Sequence, residues 1–174
     1  MAAQLSTNAE VVGAYLDAVS KKDHSIVERF LAPDIEYIVN GTSHRDREGK
    51  LPPISPELEA ALPWLGKHDG HANVSAFLDR LHANLDVTAY GPREVISEGD
   101  RAAAFGWFRL AAKATGRVMD IPYAIYFEME NGKIRKYHFL ESTFDVAAAF
   151  RDGGKWIVKR DQVDHEIPEP SIAS

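Results

Sequence analysis

The sequence predicts an α+β fold in which helices come first and a curved antiparallel sheet wraps around them. Three observations carry that reading. Apolar residues recur at helical spacing near the N-terminus and again over residues 74–85; after Leu85 the period changes from 3.6 to 2; and the period-two runs are joined by short turns of the kind that link antiparallel neighbours. Strands of that length twist strongly, so the economical way to bury their apolar face is to curl the sheet over the helices and leave a conical interior.

Thr7 and Glu10 form a capping-box pair, and Val11, Val12, Tyr15, Leu16 and Val19 make one apolar helix face behind it. Ser25 with Glu28 repeats the pattern for a second short helix, with Val27, Phe30 and Leu31 on its apolar side and Pro33 as its stop. A first strand is predicted over Ile35 to Val39, ending at the Asn40-Gly41 turn signal. Residues 43–69, which hold Pro52, Pro53, Pro56 and Pro63, read as a Pro-rich loop insertion with one short helix over Pro56 to Leu62. Val74, Phe77, Leu78, Leu81 and Leu85 define the next helix. Four strand runs are expected at Val87 to Ser97, Ala102 to Ala114, Val118 to Glu130 and Ile134 to Glu141, separated by Glu98-Gly99-Asp100, Thr115-Gly116 and Asn131-Gly132. A helical segment from Phe144 to Phe150, an Asp152-Gly153-Gly154 turn and a strand-like run from Trp156 to Lys159 come last, with 166–174 read as a loose tail. Residues 1–174 are read as one domain.

Composition narrows the function. The chain has 174 residues and no cysteine, which excludes disulfide scaffolds, thiolate metal sites and thiol catalysis. With 20 basic against 26 acidic residues it carries a formal charge of -6, the wrong sign for phosphate binding, so no nucleic-acid partner is expected. No apolar run approaches the roughly 18 residues of a membrane span, and no membrane partner is expected. Met1-Ala2-Ala3-Gln4 has neither a basic segment nor an apolar stretch after it, so the expected compartment is the cytoplasm; on that ground the Asn40-Gly41-Thr42 and Asn73-Val74-Ser75 glycosylation patterns carry no weight. There is no dinucleotide or P-loop glycine motif and no serine-nucleophile elbow, so no cofactor is expected.

Several local strings resemble the nuclear transport factor 2-like superfamily, in its SnoaL-like and ketosteroid isomerase-like branch. They are Val11-Val12-Gly13-Ala14-Tyr15-Leu16-Asp17-Ala18-Val19 through Lys22-Asp23, Ser25-Ile26-Val27-Glu28-Arg29-Phe30-Leu31-Ala32-Pro33-Asp34, and Gly132-Lys133-Ile134 before Tyr137-His138-Phe139. The resemblance covers residues 7 to 150. It implies a cone-shaped, cystatin-like α+β barrel with an apolar pocket open at one end, and a homodimer paired through the outer sheet face. That superfamily hosts isomerases, cyclases, dehydratases, epoxide hydrolases and non-enzymatic modules, so fold alone does not assign an activity.

Within that frame, Tyr15 falls where ketosteroid isomerases carry an oxyanion-donating tyrosine; the alternative is a core aromatic with a locally satisfied hydroxyl. The isomerase's base and second acid fall on Val39 and Ile125, which cannot move a proton, so steroid double-bond isomerisation is disfavoured. Glu141 is the acid expected inside. Alternation along its strand puts Arg135, Tyr137, Phe139 and Glu141 on one face, which the resemblance implies is the inner one, and burial among aromatics would lift the carboxyl toward neutrality; the alternative is a rim position, paired with an arginine or simply solvated. His71, in His68-Asp69-Gly70-His71 beside Trp64, is a candidate proton donor or else a capping or surface histidine, and three ligands in four residues are too close for an ordinary metal site. His138 and Arg109 are expected on the outer face. Phe139 stands at the strand position of the epoxide hydrolases' acid, which ranks that chemistry low.

Pocket walls are expected from Tyr37, Val39, Trp64, Phe77, Phe108 and Leu110, and from Tyr123, Ile125, Phe127, Tyr137 and Phe139. The expected function is a cofactor-independent isomerase, cyclase or dehydratase using Tyr15, Glu141 and His71 on a small, largely apolar molecule. The alternative is a non-catalytic module that uses the same cone to hold a hydrophobic ligand or to dimerise.

Overall fold

A computed structural model describes residues 7–23, 28–41, 47–50, 53–91 and 93–168. Helix α1 (Asn8–Ser20) opens the fold and is followed by β1 (Leu31–Val39), α2 (Pro56–Ala61), β2 (Gly66–Lys67) and α3 (Gly70–Asn84). The sheet continues as β3 (Leu85–Tyr90), β4 (Glu94–Glu98), β5 (Arg101–Ala112), β6 (Val118–Glu130) and β7 (Lys133–Glu141). Helix α4 (Thr143–Phe150) then leads to a hairpin of β8 (Trp156–Arg160) and β9 (Val163–Ile167).

The strands run in the order β2-β1-β7-β6-β5-β3, with β4 also paired to β5, so the sheet is curved but unclosed. One pairing departs from the expected antiparallel pattern: β1 and β7 are parallel, making the sheet mixed. A parallel neighbour needs a long crossover, and here the whole intervening chain supplies it. The expected Val87 to Ser97 strand is two strands. Both β3 and β4 run antiparallel along the same edge of β5, the first opposite residues 108–112 and the second opposite 101–105, with a break after Gly91.

Local chemistry explains the boundaries. The Thr7 and Glu10 side chains each accept from the other's backbone N–H, at 3.2 and 3.0 Å, completing the capping box of α1. Residues 28–30 are helical and the chain is already in β1 by Leu31, so Pro33 lies within a strand rather than stopping a helix. The pairing with β7 slips between Leu31 and Glu36, where a proline with no N–H cannot hold a ladder bond. The predicted cap Ser25 and the apolar-face residue Val27 of that helix lie outside the described residues.

The described part of the Pro-rich segment holds the expected short helix as α2, which ends at Ala61, and a short strand, β2. Ser55 caps α2, β2 pairs with β1, and Leu62 and Trp64 are fully buried. The expected loose tail is also partly structured, since β9 extends to Ile167 and pairs residue by residue with β8; residues 169–174 lie outside the described residues. Core side chains form one continuous cluster from Val11 to Ala149, between α1, α3 and α4 and the inner sheet face.

Period-two alternation selects that inner face. Along β6, Met119, Ile121, Ile125, Phe127 and Met129 are buried, with Asp120 and Glu130 exposed. On β7 the alternation is broken by an extra residue: Met129 pairs with Ile134 but Glu128 pairs with Lys136. Arg135 therefore does not share the inner face with Tyr137 as simple alternation requires. Ile134 is fully buried instead, and Arg135 bonds Glu128 at 2.6 Å.

Candidate functional site

The concave face and the two long helices enclose a cavity of about 110 Å³. That is on the order of a single small aromatic ring. Tyr37, Val39, Trp64, Phe77, Phe108, Leu110, Tyr123, Ile125, Tyr137 and Phe139 all line it. Of the expected walls only Phe127 does not. It lies one layer behind, fully buried, with its ring edge-on to Tyr137 at 5.5 Å and to Tyr15 at 6.5 Å.

The sheet side of the cavity is a bed of nearly parallel rings. Tyr37 stacks on Tyr137 at 4.0 Å, Tyr137 lies 6.3 Å from Phe139 at an interplanar angle of 5°, and Phe108 lies 5.3 Å from Tyr123 and 6.0 Å from Phe139. Residues two apart on one strand and directly opposite on the next share a face, so the pleat itself sets this spacing.

Glu141 lies at the end of β7, among those rings, and its side chain lines the cavity. Its strand partner is Tyr123. Asn40, just past β1, holds it from two directions: the amide Nδ2 donates to Glu141 Oε1 at 3.0 Å, and Oδ1 accepts from the Glu141 backbone N–H at 2.7 Å. Asn40 has φ of +48°, a left-handed conformation that asparagine tolerates better than most residues, and its N–H donates to Phe139 O at 2.8 Å. Burial pushes the Glu141 carboxyl up to about 7 against the opposing pull of the Asn40 amide. Among the described residues the carboxyl is neither solvated nor paired with an arginine: it is buried and bonded to Asn40.

Tyr15 is fully buried but is not part of the cavity wall. Its hydroxyl lies 3.1 Å from that of Tyr37, and its ring is edge-on to Tyr137 at 5.9 Å. Of these three phenols, Tyr37 and Tyr137 reach the wall and Tyr15 stands behind them. Burial, and after it the proximity of another phenol, raises all three hydroxyls well above the usual tyrosine range, against the pull of one phenol hydrogen bond at Tyr37 and at Tyr137, so each is held neutral.

His71 is not in the cavity wall either. Its Nε2 lies 3.1 Å from Leu31 O, tying the first turn of α3 to β1. His68 lies 2.9 Å from Trp64 O with its ring 4.7 Å from Phe77, and Asp69 pairs with Lys67 at 2.6 Å. The three side chains of that motif thus turn to separate partners. His138 lies 2.7 Å from Gly41 O, and Arg109 makes a two-pronged bond to Asp120 at 2.8 and 2.7 Å on the outer face.

Sequence reasoning missed three cavity-lining residues that matter to its chemistry: Arg93, Tyr90 and His82. Arg93 follows the break between β3 and β4, and its guanidinium Nη2 is bonded to Asp17 and lies 3.3 Å from Gly13 O on α1. The available signal was Gly91-Pro92, a pair that interrupts a strand and re-aims the chain beyond it. Local pattern marks Asn40 as a turn residue and gives no sign of its role at Glu141, because that reach crosses 101 positions of sequence.

Comparison with known proteins supplies the remaining context. No curated protein matches the chain significantly. Among solved structures, an NTF2-like protein from Burkholderia xenovorans LB400 is 21% identical, with a TM-score of 0.66 over 85% of this chain and 100% of its own. TerC, co-crystallized with polyporic acid, is 22% identical, with a TM-score of 0.63 over 80% of this chain and 94% of its own. A Pseudomonas putida KT2440 protein proposed to be a polyketide cyclase is 18% identical, with a TM-score of 0.59 over 81% of this chain and 96% of its own. At these identities the likeness is one of fold. The profile of the SnoaL-like domain matches residues 12–137, most of the chain and the greater part of the cavity, and the protein therefore belongs to the SnoaL-like domain family.

Proposed function

We propose that the protein is a cofactor-independent enzyme of isomerase or cyclase type that moves a proton at a carbon next to a carbonyl in a small, largely apolar substrate. One observation carries the reading: a single carboxyl, Glu141, is fixed by Asn40 in a wall otherwise made mostly of aromatic and aliphatic side chains, and its affinity for a proton is tuned to about 7. A base near neutrality abstracts and returns a proton efficiently. The Tyr37 and Tyr137 phenols supply neutral donors for the enolate oxygen that forms when the proton leaves, and Tyr15 orients Tyr37 through their shared hydrogen bond. The polyketide-cyclase likeness of a structural neighbour favours carbonyl-rich substrates of this kind.

The test is proton–deuterium exchange at the acidic carbon of small aryl β-diketones, followed by NMR in heavy water. The expected rate rises as pH passes upward through about 7, because the ionised carboxylate is the active form. Glu141→Gln is expected to lower exchange by on the order of 100-fold or more while the ligand still binds. Binding with no enzyme-dependent exchange would instead support a non-catalytic ligand-binding module.

A further inference from the structure

The cavity has a second polar pole, and it is cationic. Arg93 enters the wall from the break between two strands that otherwise share one edge of β5. Its position is fixed from behind, since Nη2 is bonded to both Asp17 and the Gly13 carbonyl of α1. Those bonds leave the Nε and Nη1 donors of the fork out of the clamp. Asp17 is the more solvated partner, 56% exposed against 28% for Arg93, so the carboxylate faces water more than the guanidinium does. The charge also reaches the phenols beside it: Arg93 opposes the upward shift that burial imposes on Tyr90 and Tyr123. Tyr123 in turn is the strand partner of Glu141. A flat ligand lying on the ring bed would therefore meet a proton-transferring carboxyl and a fixed guanidinium in one cavity.

Building on the reading of this cavity as a substrate site, we infer that Arg93 anchors an ionised oxygen of the ligand, so that the preferred ligands are aromatic acids, carrying a carboxylate or phenolate, rather than neutral aromatics. A guanidinium held in a partly desolvated wall binds such an oxygen by charge-assisted hydrogen bonds, which are roughly twice as strong as neutral ones. Asp17 already partners the guanidinium, so the ligand's oxygen completes the fork rather than replacing that clamp.

The experiment compares two probes of the same shape, 4-methylbenzoate and 4-methylbenzamide, by NMR titration of the full chain near pH 6, where Glu141 is largely protonated. The acid is expected to bind on the order of tenfold more tightly than the amide. Arg93→Gln is expected to abolish that preference while changing amide binding little, and Arg93→Lys to retain part of it. Equal binding of both probes to the native protein would overturn the inference while leaving the proton-transfer reading intact. Equal weakening of both probes in Arg93→Gln, with the preference kept, would show that Arg93 only props α1 against the sheet and would also overturn it. Failure of both probes to bind would count against this inference and against the cavity as a substrate site. Loss of exchange on aryl β-diketones with the acid preference intact would count against the proton-transfer reading alone.

Discussion

Glu141 and Asn40 show how a single carboxyl is tuned without an ion pair. The amide of Asn40 stabilises the ionised form, while burial among Tyr137, Phe139 and their neighbours opposes it more strongly, and the balance settles at about 7. The same balance has a stability consequence. Below about 4.5, the usual value, both folded and unfolded states carry the proton and Glu141 contributes no penalty. As pH rises from there to about 7, the unfolded chain ionises first and the folded state loses relative stability; above that range the loss is complete, at about 3 kcal/mol. Glu141→Gln removes the penalty. It is therefore expected to raise the melting temperature at pH 8 and to change it little at pH 4.5, as calorimetry at the two values would read. A stabilisation equal at both would mean that the carboxyl is not desolvated.

At the scale of elements, the bed of rings depends on what the strands leave empty. Gly106 on β5 lies directly opposite Tyr123 on β6, and a Cβ added at Gly106 would stand 2.6 Å from the Tyr123 hydroxyl oxygen. The missing side chain is what lets the phenol lie across β5. Gly106→Ala is expected to push the end of that flexible ring aside, with a stability cost of about 1 kcal/mol, because a hydroxyl end moves more readily than backbone. Its larger effect is expected in the cavity: aromatic ligands should bind several-fold more weakly in the same NMR titration. Unchanged binding would show that Tyr123 is not a wall that ligands touch. The break between β3 and β4 works in a similar way, since interrupting an edge strand turns Arg93 inward without disturbing β5 or the strands beyond it.

The whole molecule consists of a sheet with helices on its concave side and a terminal hairpin that pairs only with itself. Two buried arginines tie that hairpin down. The Arg151 guanidinium donates to Gly153 O, Gly154 O and Ile167 O and lies 4.9 Å from the centre of the Trp156 ring, while Arg117 bonds the Arg151 carbonyl. Trp156 meets Phe144 of α4 edge-on at 5.5 Å. Charge-assisted bonds to backbone carbonyls contribute roughly 1.5–3 kcal/mol each where they are sheltered from water. Arg151→Met is expected to release the hairpin locally, so that limited proteolysis cuts between residues 152 and 168 while binding in the cavity persists. A cleavage pattern identical to the native one would show that the Phe144–Trp156 contact suffices on its own. The fold was largely legible in the chain's local patterns: the capping box of α1, the β6 boundaries and the inner alternation of β6 all come from local spacing. The site was legible in part. Strand alternation grouped Glu141 with Tyr137 and Phe139 and the family resemblance turned that face inward, whereas Tyr15 and His71 lie off the cavity wall, because helical periodicity says which face is buried but not which layer a side chain reaches.

By itself, the sequence determined the α+β class, the absence of thiol chemistry and the shared face of Tyr137, Phe139 and Glu141 on the last long strand, because these depend on composition and on periods of 2 and 3.6; that this face is the inner one came from the family resemblance. Tertiary structure decided the parallel pairing of β1 with β7, the extra residue that turns Arg135 outward, the Asn40 clamp on Glu141 and the entry of Arg93 into the cavity. The physical reason is distance along the chain. Each of these arrangements either joins groups far apart in sequence or turns on one residue's departure from a regular strand, and a local pattern carries no record of which remote partner satisfies a buried polar group.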